Sequence, residues 1–176
     1  QTCALPICGI DPPPISPGGP AKSVSNEHTF DVDTSDPERI DRTILALAEQ
    51  VARRLRASGV KATTIAVKVR DARFETHTRQ RTLPEPTDVA DTIRRVAAEL
   101  AAPLVKGTRI RLLGVGATGL TDREQLGLFD DGPGDQRAER AQRAADAVRE
   151  RFGSGSIVRA RLLDDETRDP FGRSDS

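Results

Sequence analysis

The sequence predicts an α+β fold: a two-layer sandwich in which a four-stranded, mostly antiparallel sheet carries two helices on one face. The first observation is the period-2 alternation of Ile65, Val67 and Val69 with polar or small residues, which is typical of a half-buried strand. The second is a pair of apolar stripes at helical spacing, one before and one after that strand. The element order βαββαβ, followed by a C-terminal helical tail, accommodates both observations.

Local signals predict the first half of this fold. Residues 22–30 have the composition of a strand. Asp36 predicts the N-terminal cap of the first helix, Pro37 its first residue and Gly59 its end. The apolar stripe of this helix consists of Ile40, Ile44, Leu47, Ala48, Val51 and Leu55.

A hairpin over residues 61–83 follows the first helix. Its turn is predicted at residues 71–73, and its second strand begins at Phe74, whose side chain the alternation directs toward the core. Arg79 and Arg81 are two residues apart and therefore share a face. One face of the hairpin is thus apolar, and the other carries Lys, Arg and Thr. Such a cationic, hydroxyl-rich open face suits a polyanion, although a solvated outer surface fits the same pattern.

The second half of the core repeats the pattern of helix and strand. The sequence LPEP at residues 83–86 predicts a break, and Thr87 predicts the cap of a second helix that Pro103 ends. Residues 108–120 predict the last strand. The stripe of the second helix consists of Val89, Ile93, Val96, Ala97 and Leu100.

Several segments surround this core domain, which we assign to residues 22–120. Residues 1–8 begin with QTCALPI, a peptide that the codons of a common sequencing adapter can spell, so we interpret them as an adapter-derived artefact. Residues 9–21 are rich in Pro and Gly and indicate a linker. After the core come a polar segment at 121–134, a helix and extended segment at 135–163, and a tail at 164–176 that we expect to be disordered.

The C-terminal part is predicted to contain one further helix, at residues 135–152, ended by Gly153. Residues 157–163 are predicted as a short strand or extended segment. The apolar side of the helix is formed by Ala141, Ala144, Ala145, Val148 and Phe152.

The charge of the chain is balanced overall but unevenly distributed. Residues 22–120 hold 17 Lys and Arg against 13 Asp and Glu, whereas residues 121–176 hold 10 against 13. A basic middle with an acidic tail hints at nucleic acid. We expect a cytoplasmic protein, because the sequence shows neither a signal peptide nor an apolar run of transmembrane length. We also expect it to be a monomer. The two cysteines, Cys3 and Cys8, are too few for a disulfide framework or a zinc site.

Four segments, in this order, resemble the C-terminal part of Y-family translesion DNA polymerases of the DinB, or polymerase IV, type: KSVSNEHTF, VKVRDARFETHTRQRTLPEPT, IRLLGVGATGL and QLGLF. The resemblance covers about residues 9–129. It implies the little-finger, or polymerase-associated, domain, which grips DNA through the open face of its sheet.

The resemblance also implies that catalysis resides elsewhere. In that family the catalytic carboxylates and the metal site lie upstream in a palm domain, which this sequence does not contain. We therefore expect no catalytic residue, no metal ligand and no cofactor in this chain, which should be inactive alone. Mg²⁺ is expected for the catalytic domain of the full polymerase.

The resemblance implies contacts with the DNA backbone, made by cations and by hydroxyl or N–H donors that hold any sequence. Two departures, Gly116 and Asn26, stand where relatives carry charge and lower the expected affinity. The positions are Lys22, Ser23, Ser25, Asn26, Lys68, Arg70, Thr78, Arg79, Arg81, Arg109 and Arg111.

The segment QLGLF resembles the peptide by which the family binds the sliding clamp. Leu128 and Phe129 exposed in a polar region are unfavourable unless a partner covers them. The resemblance implies that Gln125 fills a polar pocket while Leu126, Leu128 and Phe129 dock in an apolar groove. The alternative is that Leu128 and Phe129 fold back on the core of the domain.

Two other functions remain open from the sequence. A free-standing sandwich could bind RNA through its sheet, but the chain has no Trp or Tyr to stack on bases, and Phe74 is predicted to face the core. A pure adaptor could serve only to present QLGLF to a clamp. A stand-alone enzyme has the least support, because no nucleophile, metal cluster or phosphate loop is visible.

Overall fold

The computed structural model of the protein describes residues 22–122, 133–153 and 155–163. Within these ranges the element order is βαββαβ followed by a third helix and a short 3₁₀ turn, which confirms the predicted α+β class. The elements are β1 (Ser23–Thr34), α1 (Pro37–Ala57), β2 (Val60–Asp71), β3 (Thr76–Thr87), α2 (Ala90–Val105), β4 (Ile110–Asp122), α3 (Pro133–Phe152) and the 3₁₀ turn Ala160–Leu162.

The four strands form one sheet in the order β1-β4-β2-β3, with each neighbouring pair antiparallel. α1 packs over β1 and β4, and α2 packs over β2 and β3, so both lie on the same face of the sheet. The inner face of β2 consists of Ile65, Val67 and Val69, which are at most 1% exposed. Burying this apolar layer is the main term that holds the two layers together.

The predicted helix signals act as expected in α1. The Asp36 side chain accepts a hydrogen bond from the Glu38 N–H at 3.0 Å, and Pro37 is the first helical residue. Gly59 follows the helix with a φ of +67°, a left-handed value that favours glycine. All members of both predicted helix stripes are buried.

The predicted break at residues 83–86 is wrong, because β3 continues through these residues to Thr87. The register shifts there: Thr64 of β2 lies opposite Thr82, and Ala62 lies opposite Thr87. β3 is an edge strand, and an edge strand tolerates prolines because half of its N–H groups have no ladder partner.

Both ends of α2 also differ from the prediction. The helix continues past Pro103 to Val105. A proline so close to the C-terminus removes one backbone hydrogen bond, and the helix ends two residues later. At the N-terminus the cap residue is Val89, and the Thr87 hydroxyl accepts a hydrogen bond from the Val89 N–H at 3.1 Å.

The third helix docks through polar side chains instead of the predicted apolar side. Ala141 and Ala144 are exposed, and Phe152 is 68% exposed. The contacts are made instead by two carboxylates on α3: Glu139 meets Lys61 of β2 at 2.7 Å, and Asp146 meets Arg56 of α1 at 2.6 Å. The side chains of Lys61 and Arg56 are only 4% and 7% exposed, so α3 both covers and neutralises two buried cations.

Residues after α3 also dock through ion pairs, but here the C-terminal segment contributes the arginines and the core helices contribute the carboxylates. Residues 160–162 form a 3₁₀ turn, so the strand or extended segment predicted at residues 157–163 is wrong there. Arg159 binds the Asp91 carboxylate of α2 through two N–H groups, at 2.6 and 3.1 Å, and it also contacts Glu49 of α1. The hydrogen bond from Arg159 lowers the pKa of the Asp91 carboxyl. Arg161 adds an ion pair with Asp41 at 2.9 Å.

We expect Arg56→Ala to release α3 while the sandwich stays folded. The change removes the buried guanidinium from Asp146, which keeps Arg149 of α3 as a partner, so the lost charged hydrogen bond costs on the order of 2 kcal/mol. Arg56 also donates to Gln142 of α3, so two docking contacts are lost together. Hydrogen exchange measured by mass spectrometry should show faster exchange in α3 and unchanged exchange in β2 and β4. The control is Arg53→Ala, an exposed position on the same helix; equal protection of α3 in both variants would contradict ionic docking.

Candidate nucleic-acid interface

The face of the sheet that points away from α1 and α2 is called the open face here. Residues directly opposite each other in an antiparallel pair point to the same side, so the register fixes which residues share this face. The strand pairing gives four rows across β1, β4, β2 and β3. They are Ser23–Thr118–Thr64–Thr82, Ser25–Gly116–Ala66–Gln80, Glu27–Gly114–Lys68–Thr78 and Thr29–Leu112–Arg70–Thr76.

Hydroxyl groups dominate these rows, while charges are few. Lys68 and Arg70 are the cations in the four rows, and Glu27 is their one acid. The expectation of a hydroxyl-rich surface therefore agrees with the structure, but the surface is less cationic than expected. Phosphate binding on such a face would depend on hydroxyl donors as much as on charge.

Lys68 and Glu27 form an ion pair across the open face. The Lys68 Nζ lies 3.0 and 3.1 Å from the two Glu27 carboxylate oxygens. Gly114 of β4 lies between them, and a Cβ added there would meet the Glu27 Cγ at 2.9 Å. The glycine thus leaves the space through which the pair closes. Both side chains are more than a third exposed, so the pair contributes at most about 1 kcal/mol and an incoming phosphate can compete for Lys68.

Two cross-strand contacts orient neighbouring polar groups of this face. The Arg70 Nε donates to the Thr76 hydroxyl at 2.9 Å. The hydroxyls of Thr64 and Thr82 lie 3.0 Å apart, within hydrogen-bonding distance. Both contacts join β2 to β3, so they fix the orientation of two side chains of the edge strand on the open face.

Arg79 and Arg81 share a face, as expected, but it is not the open face. They lie opposite Val67 and Ile65, the core residues of β2, and therefore point to the helix side of the sheet. The Arg81 guanidinium forms an ion pair with Glu99 of α2, and this hydrogen bond lowers the pKa of the Glu99 carboxyl. The expected placement of both arginines beside Lys68 is therefore wrong, because it depends on Phe74 as a core-facing residue of the second strand, whereas Phe74 lies in the turn and Lys68 is paired with Thr78.

Asn26 also points to the helix side. It lies opposite the core residue Val115 and donates a hydrogen bond to Gln50 of α1. Ser25, its neighbour, lies on the open face, and its backbone carbonyl accepts from Arg54 of α1 at 2.8 Å. The expected row of Ser23, Ser25 and Asn26 is therefore split between the two faces.

The remaining expected cations lie at the ends of the sheet. Lys22 is exposed just before β1. Arg109 is exposed just before β4, instead of within the predicted strand, and its carbonyl accepts from the Ala72 N–H at 3.0 Å. Arg111 lies next to a register shift in β4 and forms an ion pair with Asp33 at 3.6 Å.

Phe74 does not face the core. It lies in the β2–β3 turn, is 62% exposed and has a φ of +67°. The turn is longer than predicted, because the Asp71 carboxylate accepts from the N–H groups of both Arg73 and Glu75 at 2.9 Å and holds residues 72–75 outside the strands. The guanidinium of Arg111 lies 4.6 Å from the centre of the Phe74 ring.

One group of potential metal ligands occurs in the described part of the chain, at the same turn. Asp71, Glu75 and His77 bring their ligand atoms within 4.8 Å of one another. The Asp71 carboxylate is already used by the turn, and the other two side chains are about half or more exposed. We assign no metal to this group.

The expected clamp-binding residues, Gln125, Leu126, Leu128 and Phe129, lie outside the described residues, as do residues 1–21 and 164–176. In the described part of the chain, each helix is too short or too polar to cross a membrane.

A family model described as the impB/mucB/samB family C-terminal domain matches residues 21–128. The chain belongs to this family. Curated proteins similar to this chain include the DNA polymerase IV of Methanoculleus marisnigri, which is 45% identical over 107 residues, that is 61% of this chain and 30% of the relative. The DNA polymerase IV of Desulfatibacillum aliphaticivorans is 37% identical over 161 residues, 89% of this chain and 41% of the relative. The chain thus spans less than half the length of either relative.

Solved structures share the fold of this domain. A Y-family DNA polymerase chimera superposes with a TM-score of 0.53 at 15% identity, over 60% of this chain and 30% of that one. The Dbh ternary complex superposes with a TM-score of 0.50 at 14% identity, over 57% of this chain and 29% of that one. These structures confirm the fold, while the family match and the DNA polymerase IV relatives confirm the resemblance of this chain to the C-terminal part of a DinB-type polymerase.

Sequence reasoning missed two functional-site features that the strand register reveals. Glu27, the acid that pairs with Lys68, lies in the segment KSVSNEHTF, where local sequence does not indicate the pair because the two residues are 41 positions apart. Gln80 lies on the open face between Thr78 and Thr82. The alternation of Thr76, Thr78, Gln80 and Thr82 along β3 was the available signal for it.

We expect Arg81→Ala to raise the pKa of Glu99 toward the ordinary value of a glutamate. The hydrogen bond from Arg81 is the largest cause of its lowered pKa, so removing the guanidinium removes that cause. An NMR titration of the side-chain carboxyl carbons measures the shift. Arg79→Ala is the control and should leave the Glu99 titration unchanged. A titration of Glu99 that does not respond to Arg81→Ala would argue against the placement of Arg81 on the helix side.

Proposed function

We propose that this chain holds primer–template DNA on the open face and recruits a sliding clamp through QLGLF, as the little-finger part of a translesion DNA polymerase. The observation that carries the DNA proposal is the open face, which no described helix covers and which has four rows that include hydroxyl, amide and cationic side chains, in a chain of this family. Such donors bind phosphate oxygens without reading bases. That property suits a polymerase that must hold any template, damaged or intact.

The proposed contacts form two groups. Ser23, Ser25, Lys68, Arg70 and Thr78 lie on the open face and would contact the backbone directly. The others border it: Arg79 and Arg81 on the helix side of edge strand β3, and Lys22, Arg109 and Arg111 at the sheet ends. Asn26 is engaged with α1 and is the weakest of the proposed contacts.

In this proposal, the catalytic residues for DNA synthesis lie outside this chain. The parent protein would be a DNA-directed DNA polymerase whose upstream palm domain binds Mg²⁺, acting in the cytoplasm on the nucleoid. The chain itself would act as a monomer that supplies grip and recruitment. Few charges on the open face imply weak binding alone, so the domain would act mainly together with a polymerase already on the DNA.

RNA binding by a free-standing domain is the second candidate, and one observation favours it more than the sequence did. Phe74 is exposed and not in the core, so its ring is accessible for stacking. The sixteen positions in the four open-face rows, however, include no aromatic residue. RNA-binding sheets of the common type stack two or three bases on aromatics in mid-sheet, so DNA backbone binding remains the better fit.

We expect Lys68→Ala with Arg70→Ala to weaken DNA binding and flatten its salt dependence. Each lost phosphate contact lowers the log–log salt slope by roughly 0.9 on duplex DNA. Fluorescence anisotropy of a labelled primer–template, titrated across salt concentrations, measures both quantities. Glu27→Gln should have the opposite effect, because it frees Lys68 from its ion pair.

The control for this test removes the same charge elsewhere. Arg53→Ala with Arg95→Ala takes two exposed arginines from the helix layer, on α1 and α2. This control should retain the wild-type salt slope. If the control and the open-face double variant lose affinity equally, only net charge matters and the open face is not the DNA site.

We expect Leu128→Ala with Phe129→Ala to abolish capture of the chain by an immobilised bacterial sliding clamp. A short linear segment of this kind binds with micromolar affinity, about −8 kcal/mol, and the two large apolar side chains provide most of the buried area. The control is Phe152→Ala with Leu163→Ala, which removes exposed apolar side chains from another site. Capture that survives the Leu128 and Phe129 change would exclude QLGLF as the clamp-binding segment.

A further inference from the structure

The β2–β3 turn exposes the ring of Phe74 to solvent, and the backbone of this residue is strained. Phe74 is a non-glycine residue with positive φ, a conformation that L residues adopt only when their surroundings enforce it. Burial does not enforce it, because the side chain is 62% exposed. The strain is therefore not compensated by apolar packing of the ring.

The hydrogen bonds of the turn enforce the conformation instead. The Phe74 N–H donates to the Asp71 carbonyl at 3.1 Å. The Asp71 carboxylate accepts from the N–H groups on both sides of Phe74, those of Arg73 and Glu75. Asp71 is itself buried and paired with Ile110 of β4, so the turn is anchored to the ends of the two central strands.

Among the described residues, Arg111 supports one face of the Phe74 ring. The Arg111 guanidinium lies 4.6 Å from the ring centre, and Asp33 holds that guanidinium at 3.6 Å. A guanidinium over one face of an aromatic ring is attracted by its quadrupole and fixes the orientation of the ring. With Arg111 behind it and most of its surface in solvent, Phe74 presents its opposite face to any planar group that approaches.

The position of this ring narrows the choice of ligand. The pair Asp71 and Ile110 is next to the open-face pair Arg70 and Leu112 at the end of the sheet. The Phe74 ring therefore lies at the end of the surface proposed to hold DNA. The side chains of Arg73 and Arg109 are exposed in the same region. An aromatic ring flanked by cations is the arrangement on which the bases of single-stranded nucleic acid stack.

We propose that Phe74, backed by Arg111, is a stacking platform for an unpaired base of the single-stranded template that extends from the duplex on the open face. This inference rests on the proposed DNA-binding function and adds a ligand class to it. Bases inside a duplex are already stacked on their neighbours and offer no free face. The platform therefore distinguishes single-stranded from double-stranded DNA, which the phosphate contacts of the open face do not.

The composition of the chain makes a direct test possible, because it contains no Trp and no Tyr. Phe74→Trp places a single fluorophore at the platform, and a base stacked on it quenches its emission. Phe152→Trp is the matched control: Phe152 is 68% exposed and has the Arg151 guanidinium 5.4 Å from its ring centre, but it lies on α3. Each variant of the full chain is titrated with a primer–template bearing an oligothymidine overhang, with the blunt duplex and with an oligouridine overhang.

The expected result is quenching of Trp at position 74 by the thymidine overhang, little quenching by the blunt duplex and none at position 152. Phe74→Ala and Phe74→Leu should each weaken binding of the overhang DNA by roughly fivefold or more, while binding of the blunt duplex stays at the wild-type level. The use of two variants guards against a turn that fails to form in one of them.

Anisotropy of the labelled DNA, recorded in the same titrations, separates the two proposals. DNA that binds without quenching at position 74, or that quenches both positions equally, overturns the platform and leaves the DNA-binding function intact. Equal quenching by blunt duplex also overturns it, and stronger quenching by the uridine overhang overturns its assignment to DNA. DNA that does not bind at all overturns both proposals together.

Discussion

The pairing register of β2 with its two neighbours is the constraint on which the rest of this structure depends. β2 must turn Ile65, Val67 and Val69 toward the helices to close the core, and its alternate residues then face outward. Antiparallel partners inherit the same assignment, so each position of β3 and β4 is directed to the core side or the open side by the residue opposite it. A slip of one residue would exchange the two faces of the hairpin, which is why the buried side specifies the exposed one.

Charged side chains are distributed unequally between the two faces of the sheet. The open face carries few charges, and its one ion pair crosses a glycine in β4. The helix side, by contrast, collects most of the ionic contacts, including those of Arg56, Lys61 and Arg81. Much of the excess of Lys and Arg in residues 22–120 therefore serves the helix side and the docking of α3. A hydroxyl-rich face with few cations is consistent with the weak, sequence-independent contact with DNA that we propose.

The C-terminal helix is attached by a different kind of force than the core helices. α1 and α2 are held by apolar burial, which salt does not screen, whereas α3 and the 3₁₀ turn are held by ion pairs in which each side contributes both cations and carboxylates. The segment QLGLF lies in sequence between β4, which is part of the sheet, and α3, which is docked on the helix layer. The elements on either side of the proposed clamp-binding segment, β4 and α3, are therefore both attached to the same domain. Salt weakens the ion pairs that hold α3 more than it weakens the pairing of β4 in the sheet.

The sequence by itself determined the element order, both helix stripes, the cap at Asp36 and the family, because these depend on spacing within about twenty residues and on short motifs in order. Only the tertiary structure decided which face Arg79, Arg81 and Asn26 occupy, since that depends on register between strands distant in sequence. It also decided that α3 docks through carboxylates, because the burial of Lys61 and Arg56 is invisible until the layers meet. The tertiary structure also decided that Phe74 is exposed. The buried side chain of Asp71 sets the length of the turn that contains Phe74, and the alternation of polar and apolar residues does not predict this length.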